Sequence, residues 1–381
     1  MSKTILIAPD SFKGTLTAHE AASAIEEGIR QLVADVTLIK HPVSDGGEGL
    51  VSIVTPALGG CIVTTNVAGP LPGQRVDARW GLSGDGTVAV IEMAEAAGLS
   101  LVPPDMRNPK VTTTYGVGEL IRAALDAGAS SLVVGIGGSA TNDGGAGMAE
   151  ALGVRFLDHS GMPLARGGAA LVNLATIDMS GRDPRIEQTE ILVACDVQNT
   201  LCGRLGASAV YGPQKGARLS DVALLDKALL QLGDKIHSGL GIDVLDLPGS
   251  GAAGGLGAGL VAFCGASLKR GIETVLNVTG FDEHLQRADL VVSGEGRIDH
   301  QVRFGKALAG IVEQAKHRGV PVVAVVGSIE GGREQYLVDG FLLDLESIVD
   351  ERISTADAMR DAKSLLTEKT RVLIQRYLSR T

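Results

Sequence analysis

Carboxylates and cations recur inside glycine-rich turns along this chain, far apart in sequence. Asp10 and Lys13 follow an apolar run near the N-terminal end, and Glu295 and Arg297 follow a similar run near the other end. Carboxylate oxygens are the ligands that Mg²⁺ prefers, and a fixed cation suits a phosphate or a carboxylate. These residue types predict chemistry on a small anionic ligand, although each charge taken alone is also typical of a solvated loop.

Two further turns carry the same kinds of side chain. SDGGEG (residues 44–49) places Asp45 and Glu48 in a glycine frame, which suits Mg²⁺, with a plain Asp-Gly turn as the alternative. Asp196 follows an apolar run, where it can hold a metal, orient a hydroxyl or serve as a cap. Lys215 lies in the glycine-framed YGPQKG (residues 211–216). The sequence therefore predicts several charged strand-end loops.

The densest glycine segment is VGIGGSATNDGGAGM (residues 134–148), between a β-branched run and a helical pattern. Backbone amides at such a junction can bind phosphate, while an ordinary glycine-rich turn is the competing interpretation. A second glycine-rich segment covers residues 248–257, but the GxxxxGK[ST] pattern is absent from the sequence. The absence of this pattern argues against a P-loop NTPase.

The elements that position these loops follow a β-α-β pattern. Residues 4–8 and 36–39 are predicted strands, and TAHE (residues 17–20) predicts a capping box that starts the helix between them. Residues 290–292 and 322–326 repeat the strand pattern near the C-terminal end. Because ligands bind beyond the carboxyl ends of parallel strands, the charged loops are expected to meet there.

The length of 381 residues favours two domains. We expect a discontinuous α/β domain from residues 1–65 and 285–381, with an α/β domain of residues 66–284 inserted and an active site in the cleft between them. GPLPG (residues 69–73) is the predicted linker.

Composition narrows the function further. A net charge of -10 and 3% aromatic residues argue against nucleic acid and an anionic membrane as partners. The four cysteines show no zinc-site spacing, and neither a signal peptide nor a membrane-spanning run is apparent, so a cytoplasmic enzyme is expected.

Six segments together resemble the bacterial glycerate kinase family, in that family's order and over nearly the whole chain. They are IAPDSFKG (7–14), SDGGEG (44–49), GIGGSATNDGG (135–145), CD with GPQKG (195–196, 212–216), PGSGAAGGLG (248–257) and GEGRID (294–299). The resemblance implies two α/β domains, the first a Rossmann-like parallel sheet, and ATP-dependent phosphorylation of D-glycerate with Mg²⁺. This chain has Val302 where the family usually has Thr or Ser, and Leu308 where the family usually has Pro.

We assign the predicted site residues hypothetical roles in a direct in-line transfer of the γ-phosphoryl group. Lys13, Arg297 and Lys215 are expected to hold carboxylate or phosphate, and Asp196, with Asp10 second, to act as base. The remaining predicted residues are Ser11 and Asp299 for substrate; Asp45, Glu48 and Glu295 for Mg²⁺; and Gly137, Gly138, Ser139, Thr141, Gly251 and Gly254 for ATP.

Other interpretations stay open. Residues 248–257 suggest a GHMP-like small-molecule kinase, although hydroxyls are missing after Gly257, and a non-catalytic small-acid sensor is the alternative from another class. The 2-hydroxyl of glycerate is favoured over the 3-hydroxyl as acceptor, and the chain is expected to be a monomer or homodimer.

Overall fold

The computed structural model describes residues 3–47, 49–299 and 307–380. The chain forms two compact units, Met1–Asp45 with Val275–Thr381, and Gly46–Thr274. The sequence-based boundaries lay at residues 65 and 285. Residues 46–65 fall in the second unit because helix α2 (Leu50–Ala57) packs against strands of that unit.

The first unit contains a five-stranded parallel sheet in the order β13-β12-β11-β1-β2. Its strands are β1 (Lys3–Pro9), β2 (Val36–Lys40), β11 (Leu290–Ile298), β12 (Val322–Ile329) and β13 (Asp344–Ser347). The predicted α/β class with a parallel sheet from both chain ends is confirmed. The order reverses between β1 and β11, which makes this a doubly wound sheet with a switch point there.

Helices cover this sheet. They are α1 (Ala18–Arg30), α10 (Phe281–Leu285), α11 (Ala307–Arg318), α12 (Thr355–Arg360) and α13 (Ala362–Leu378), with α9 (Gly271–Val278) at the unit boundary. Thr17 and Glu20 form the predicted capping box of α1, each side chain accepting a bond from the other's backbone amide. The buried faces of α1 and α13 pack together over β1, β11 and β12, so local sequence signals and the core agree.

The second unit contains a six-stranded mixed sheet in the order β10-β9-β6-β5-β4-β3. Strands β5 (Val88–Glu92), β6 (Ser131–Gly135), β9 (Glu190–Ala194) and β10 (Ser267–Lys269) are parallel, and β3 (Cys61–Ala68) and β4 (Arg75–Leu82) form an antiparallel hairpin. Residues 69–73, predicted to be a linker, are the turn of this hairpin. The linker prediction was wrong because glycine and proline favour tight turns as strongly as linkers.

The helices of the second unit complete its layers, and a small hairpin of β7 (Arg155–Leu157) and β8 (Thr176–Asp178) lies beside them. The helices are α2, α3 (Ala94–Ala97), α4 (Tyr115–Asp126), α5 (Ala146–Ala151), α6 (Ala207–Tyr211), α7 (Leu219–Leu240) and α8 (Ala252–Cys264). None of the helices in the described residues is both long and apolar enough to cross a membrane.

The start of α8 departs from regular helix geometry. Ala253, Gly254 and Gly255 have left-handed backbone angles, with φ of 54°, 69° and 90°. A Cβ at Gly259 would lie 2.5 Å from the carbonyl oxygen of Gly144, so α8 approaches the loop before α5 backbone to backbone. Glycine is required at this contact for packing.

Candidate functional site

A cavity of about 340 Å³ lies at the carboxyl ends of the strands in the first unit. Seven residues singled out from the sequence line it, and they come from the ends of β1, β2 and β11: Asp10, Ser11, Lys13, Asp45, Glu295, Arg297 and Asp299. The cavity therefore lies at the switch point of the doubly wound sheet, where parallel sheets bind ligands. Separate strand ends supply its polar groups, as the β-α-β pattern predicted.

Asp10 is a buried acid of this cavity. It is 7% exposed, and its own Oδ1 accepts a 2.6 Å bond from the Ser11 amide. Burial, reinforced by the charge of Asp45, raises the pKa of Asp10 to about 7. A carboxyl group with this pKa changes protonation near neutral pH, which suits a group that accepts a proton during a reaction.

Two described cations of the cavity, Lys13 and Arg297, are paired with acids and remain accessible. Lys13 Nζ lies 3.3 Å from Asp45 Oδ2, and Arg297 donates a 2.7 Å bond to Glu330. Both cationic side chains are about two-thirds exposed, at 67% and 64%. Because exposed ion pairs contribute little stability, an incoming anion can displace the carboxylates at small cost.

Carboxylates that line this cavity could bind Mg²⁺ together with a nucleotide. In the part of the chain that the structure describes, no three His, Cys, Asp or Glu side chains are grouped to hold a metal ion. Two of the predicted magnesium ligands, Asp45 and Glu295, nevertheless line one cavity, and the third, Glu48, lies outside the described residues. Since Mg²⁺ is usually held by one or two carboxylates together with substrate phosphates and water, this oxygen-donor set fits an ion that arrives with a nucleotide.

In the second unit, residues 137 and 138 follow β6 and are exposed to solvent, and Gly138 has a φ of 71°. Their backbone is open to a ligand, as the prediction of a phosphate contact requires. Gly251 and Gly254 are different. Both are buried, and an added Cβ would lie 2.2 Å from the Thr200 carbonyl oxygen and 2.0 Å from that of Thr141, respectively. Packing alone accounts for glycine at these two positions.

Lys215 is buried beneath the loop that follows β6. It is 1% exposed, and its Nζ donates 2.6 Å and 2.7 Å bonds to Ser139 Oγ and the Thr141 carbonyl oxygen. Burial lowers the pKa of Lys215 to about 7, against the opposing effect of Asp143. In this conformation Lys215 fastens the glycine loop, and its contact with an anionic ligand stays a prediction.

Asp143 belongs to the same loop and has a structural role. Its carboxylate accepts bonds from the amide and hydroxyl of Thr114 and from the amides of Gly145 and Gly147. Burial raises the pKa of Asp143. These bonds fix the turn that leads into α5, so Asp143 supports the loop rather than lining a surface.

Asp196 follows β9 and is exposed, and its Oδ1 accepts a 2.8 Å bond from the Gly271 amide at the start of α9. This bond joins the ends of β9 and β10 in the second unit. The role of Asp196 as base stays a prediction.

Sequence reasoning missed Glu92, the last residue of β5. Its carboxylate accepts bonds from the Gly49 amide at 3.3 Å and the Val51 amide at 2.8 Å, at the N-terminus of α2. Burial raises the pKa of Glu92, and the helix dipole favours a carboxylate at this position. Glu92 thus holds the loop that carries residues 46–49. Its position at the end of a predicted strand was the available signal.

A model of the glycerate kinase family matches residues 5–378. The chain belongs to the glycerate kinase family. This confirms the resemblance drawn from the six sequence segments. Of the two departures from the family pattern, Val302 lies outside the described residues, and Leu308 is buried in α11.

Individual members of the glycerate kinase family match nearly the whole chain. A glycerate kinase of Halalkalibacterium halodurans is 50% identical over 97% of this chain and 96% of its own length. A glycerate 2-kinase of Escherichia coli K12 is 48% identical, over 90% and 91% of the two chains. A crystal structure from Salmonella typhimurium LT2, provisionally named glycerate kinase 2, is 47% identical, with a TM-score of 0.90 over 100% of this chain and 99% of that one.

Proposed function

We propose that this protein is an ATP-dependent D-glycerate kinase that forms phosphoglycerate, with the 2-hydroxyl as acceptor. The observation that carries the proposal is the cavity of the first unit, which brings seven predicted polar residues together at a switch point. Membership of the glycerate kinase family and a relative named glycerate 2-kinase support the substrate and the position.

The reaction is an in-line displacement in which the glycerate hydroxyl oxygen attacks the γ-phosphorus of ATP. The bond from that phosphorus to the bridging oxygen of ADP breaks, and the hydroxyl proton leaves. Little covalent chemistry falls to the protein in such a transfer, so positioning and neutralisation of charge supply most of the rate.

We propose Asp10, ahead of Asp196, as the base that accepts the proton of the glycerate hydroxyl. A base is most effective when its pKa lies near the working pH, and burial brings the pKa of Asp10 to about 7. Asp10 also lines the cavity that holds Lys13 and Arg297, whereas Asp196 binds the Gly271 amide in the second unit.

Lys13 and Arg297 hold the glycerate carboxylate or the transferring phosphoryl group, because each ends in an accessible cationic group. Asp45 and Glu295 would hold Mg²⁺ with the nucleotide. Mg²⁺ supplies neutralisation of phosphate charge when it is bound. In the second unit, a phosphate contact at the exposed residues 137 and 138 stays a separate prediction, and Lys215 keeps their loop in place.

ADP release, measured with ATP, Mg²⁺ and either D- or L-glycerate, tests this proposal. We expect release that depends on D-glycerate, and Lys13→Ala should reduce kcat/KM by about a hundredfold. Lys40→Ala is the matched control, because Lys40 is also a partly exposed lysine paired with an acid, Glu26, outside the cavity lining. A purified wild-type protein that binds D-glycerate without releasing ADP would instead be the non-catalytic sensor.

A further inference from the structure

The cavity of the first unit changes character along the strand order of its sheet. Acidic residues lie at the ends of β2, β1 and β11, whereas Ile348 and Val349 follow β13 at the opposite edge. Their amides donate to the carbonyl oxygens of Val326 and Gly327, which fixes them beside the end of β12. Neighbouring strands lie about 4.8 Å apart, so roughly 14 Å separates β1 from β13. The described charged side chains therefore lie on one side of the cavity, and most of its aliphatic side chains lie on the other.

Residues around the junction of α12 and α13 complete the apolar side. Ala358 and Met359 of α12 and Ala362 of α13 line the cavity together with Val349. Met359 is 52% exposed, and its Cε would lie 3.7 Å from a Cβ built on Gly14. The thioether thus lies over the loop that carries Lys13 and retains apolar surface that a ligand could cover.

Glycerate alone does not account for this apolar side. A three-carbon acid is polar along its whole length and reaches roughly 5 Å, given C–C bonds of about 1.5 Å. The volume of about 340 Å³ lies within the range of pockets that bind larger organic ligands. ATP has the matching polarity, because its flat base is weakly polar and its other end carries the phosphates.

We propose that the apolar side, formed by Val349, Ala358, Met359 and Ala362, binds the adenine base of ATP. The ribose and phosphates then run along the strand ends toward Lys13. This inference rests on the proposed kinase function and deepens it, because it locates the nucleoside in the first unit and assigns Lys13 to phosphate rather than to the glycerate carboxylate.

The charges of the cavity add a condition on binding. Among the residues that the structure describes, four acids, Asp10, Asp45, Glu295 and Asp299, and two cations, Lys13 and Arg297, line it. Bare phosphates would meet several carboxylates there, so Mg²⁺ should strengthen the binding of ADP. Adenosine carries no phosphate, and its binding should not depend on Mg²⁺.

Calorimetric titration of the full chain with adenosine, and with ADP in the presence and absence of Mg²⁺, tests the assignment without any turnover. Met359→Ala should weaken the binding of both ligands by about five- to tenfold, because alanine offers a ligand less apolar surface to cover than the half-exposed methionine does. Met359→Glu should weaken ADP further. Met162→Ala is the matched control, since Met162 is 62% exposed, lies in the other unit and should leave both affinities unchanged. The KM for D-glycerate should stay within twofold in Met359→Ala.

The assignment is overturned if wild-type protein fails to bind adenosine, or if Met359→Ala leaves the affinities for adenosine and ADP unchanged. It is also overturned if Met359→Ala raises the KM for D-glycerate alone. Binding of adenosine and ADP that depends on Met359, in a protein that transfers no phosphate to D-glycerate, would support the nucleoside site while refuting the glycerate kinase proposal.

Discussion

Replacing Asp10 with asparagine should stabilise the first unit at alkaline pH while it impairs the reaction. Burial and the charge of Asp45 raise the pKa of Asp10 from 3.8 to about 7 in the folded protein. The folded state therefore binds this proton more tightly than the unfolded state does. The associated stability is present below the unfolded pKa and is lost as the pH rises through about 7.

The size of the effect follows from the shift. One pKa unit corresponds to about 1.4 kcal/mol, so wild-type protein should lose about 3 kcal/mol of stability between about pH 5 and pH 8 through this group. Asparagine does not ionise, and its Oδ1 can still accept the bond from the Ser11 amide. The stability of Asp10→Asn relative to wild type should thus rise by about 3 kcal/mol over this interval.

Urea unfolding at both pH values measures the stability of Asp10→Asn relative to wild type. Because the two units need not unfold together, hydrogen exchange is used to follow the unfolding of the first unit. Asp282→Asn is a control in the same unit whose stability relative to wild type should not change between about pH 5 and pH 8. A hydrogen bond from Arg318 lowers the pKa of Asp282 below 3.8, so this carboxylate is almost fully ionised in both the folded and the unfolded protein over this interval. A relative stability of Asp10→Asn that does not increase from about pH 5 to pH 8 would refute the reasoning.

Three further predictions concern buried groups. Burial lowers the pKa of Lys215 to about 7, so wild-type protein should gain about 3 kcal/mol of stability between about pH 7 and pH 9, and Lys215→Met should lack this gain in urea unfolding. Gly254→Ala should lower the free energy of unfolding by at least about 2 kcal/mol more than Gly241→Ala does. Both glycines have a φ near 70°, but only at Gly254 would an added Cβ meet a backbone atom, 2.0 Å away. Equal melting temperatures of the two variants would contradict this. Burial, aided by His284, lowers the pKa of His41 to about 4, so stability should fall by about 3 kcal/mol as the pH drops from about 6.5 to 4, and His41→Gln should remove this dependence in acid unfolding curves.

Local signals in the sequence predicted the parts of the fold that local interactions determine. The capping box at Thr17 depends on residues three apart, and β-branched runs mark strands that are buried on both faces. Because parallel strands end at a common edge, the sequence alone predicts that the loops after β1, β2 and β11 share a cavity.

The remainder depended on contacts between residues distant in sequence. Gly254 looks like part of a phosphate loop, but its lack of a side chain is already explained by the Thr141 carbonyl oxygen more than a hundred residues earlier. Glu92 gave no glycine-rich context, and its role became apparent only from the amides of α2. Met359 looks like an ordinary helical residue in the sequence. Its place on the cavity wall depends on the packing of α12 near the loop at Gly14, more than three hundred residues earlier.

The most direct test of the central claim is the phosphorus NMR spectrum of the product formed from ATP, Mg²⁺ and D-glycerate. We predict a single new phosphomonoester whose phosphorus couples to one carbon-bound proton, as in 2-phosphoglycerate. Coupling to the two protons of a methylene group would place the phosphate on the 3-hydroxyl and contradict the predicted position. The absence of any phosphomonoester from active, folded protein would contradict the kinase account itself.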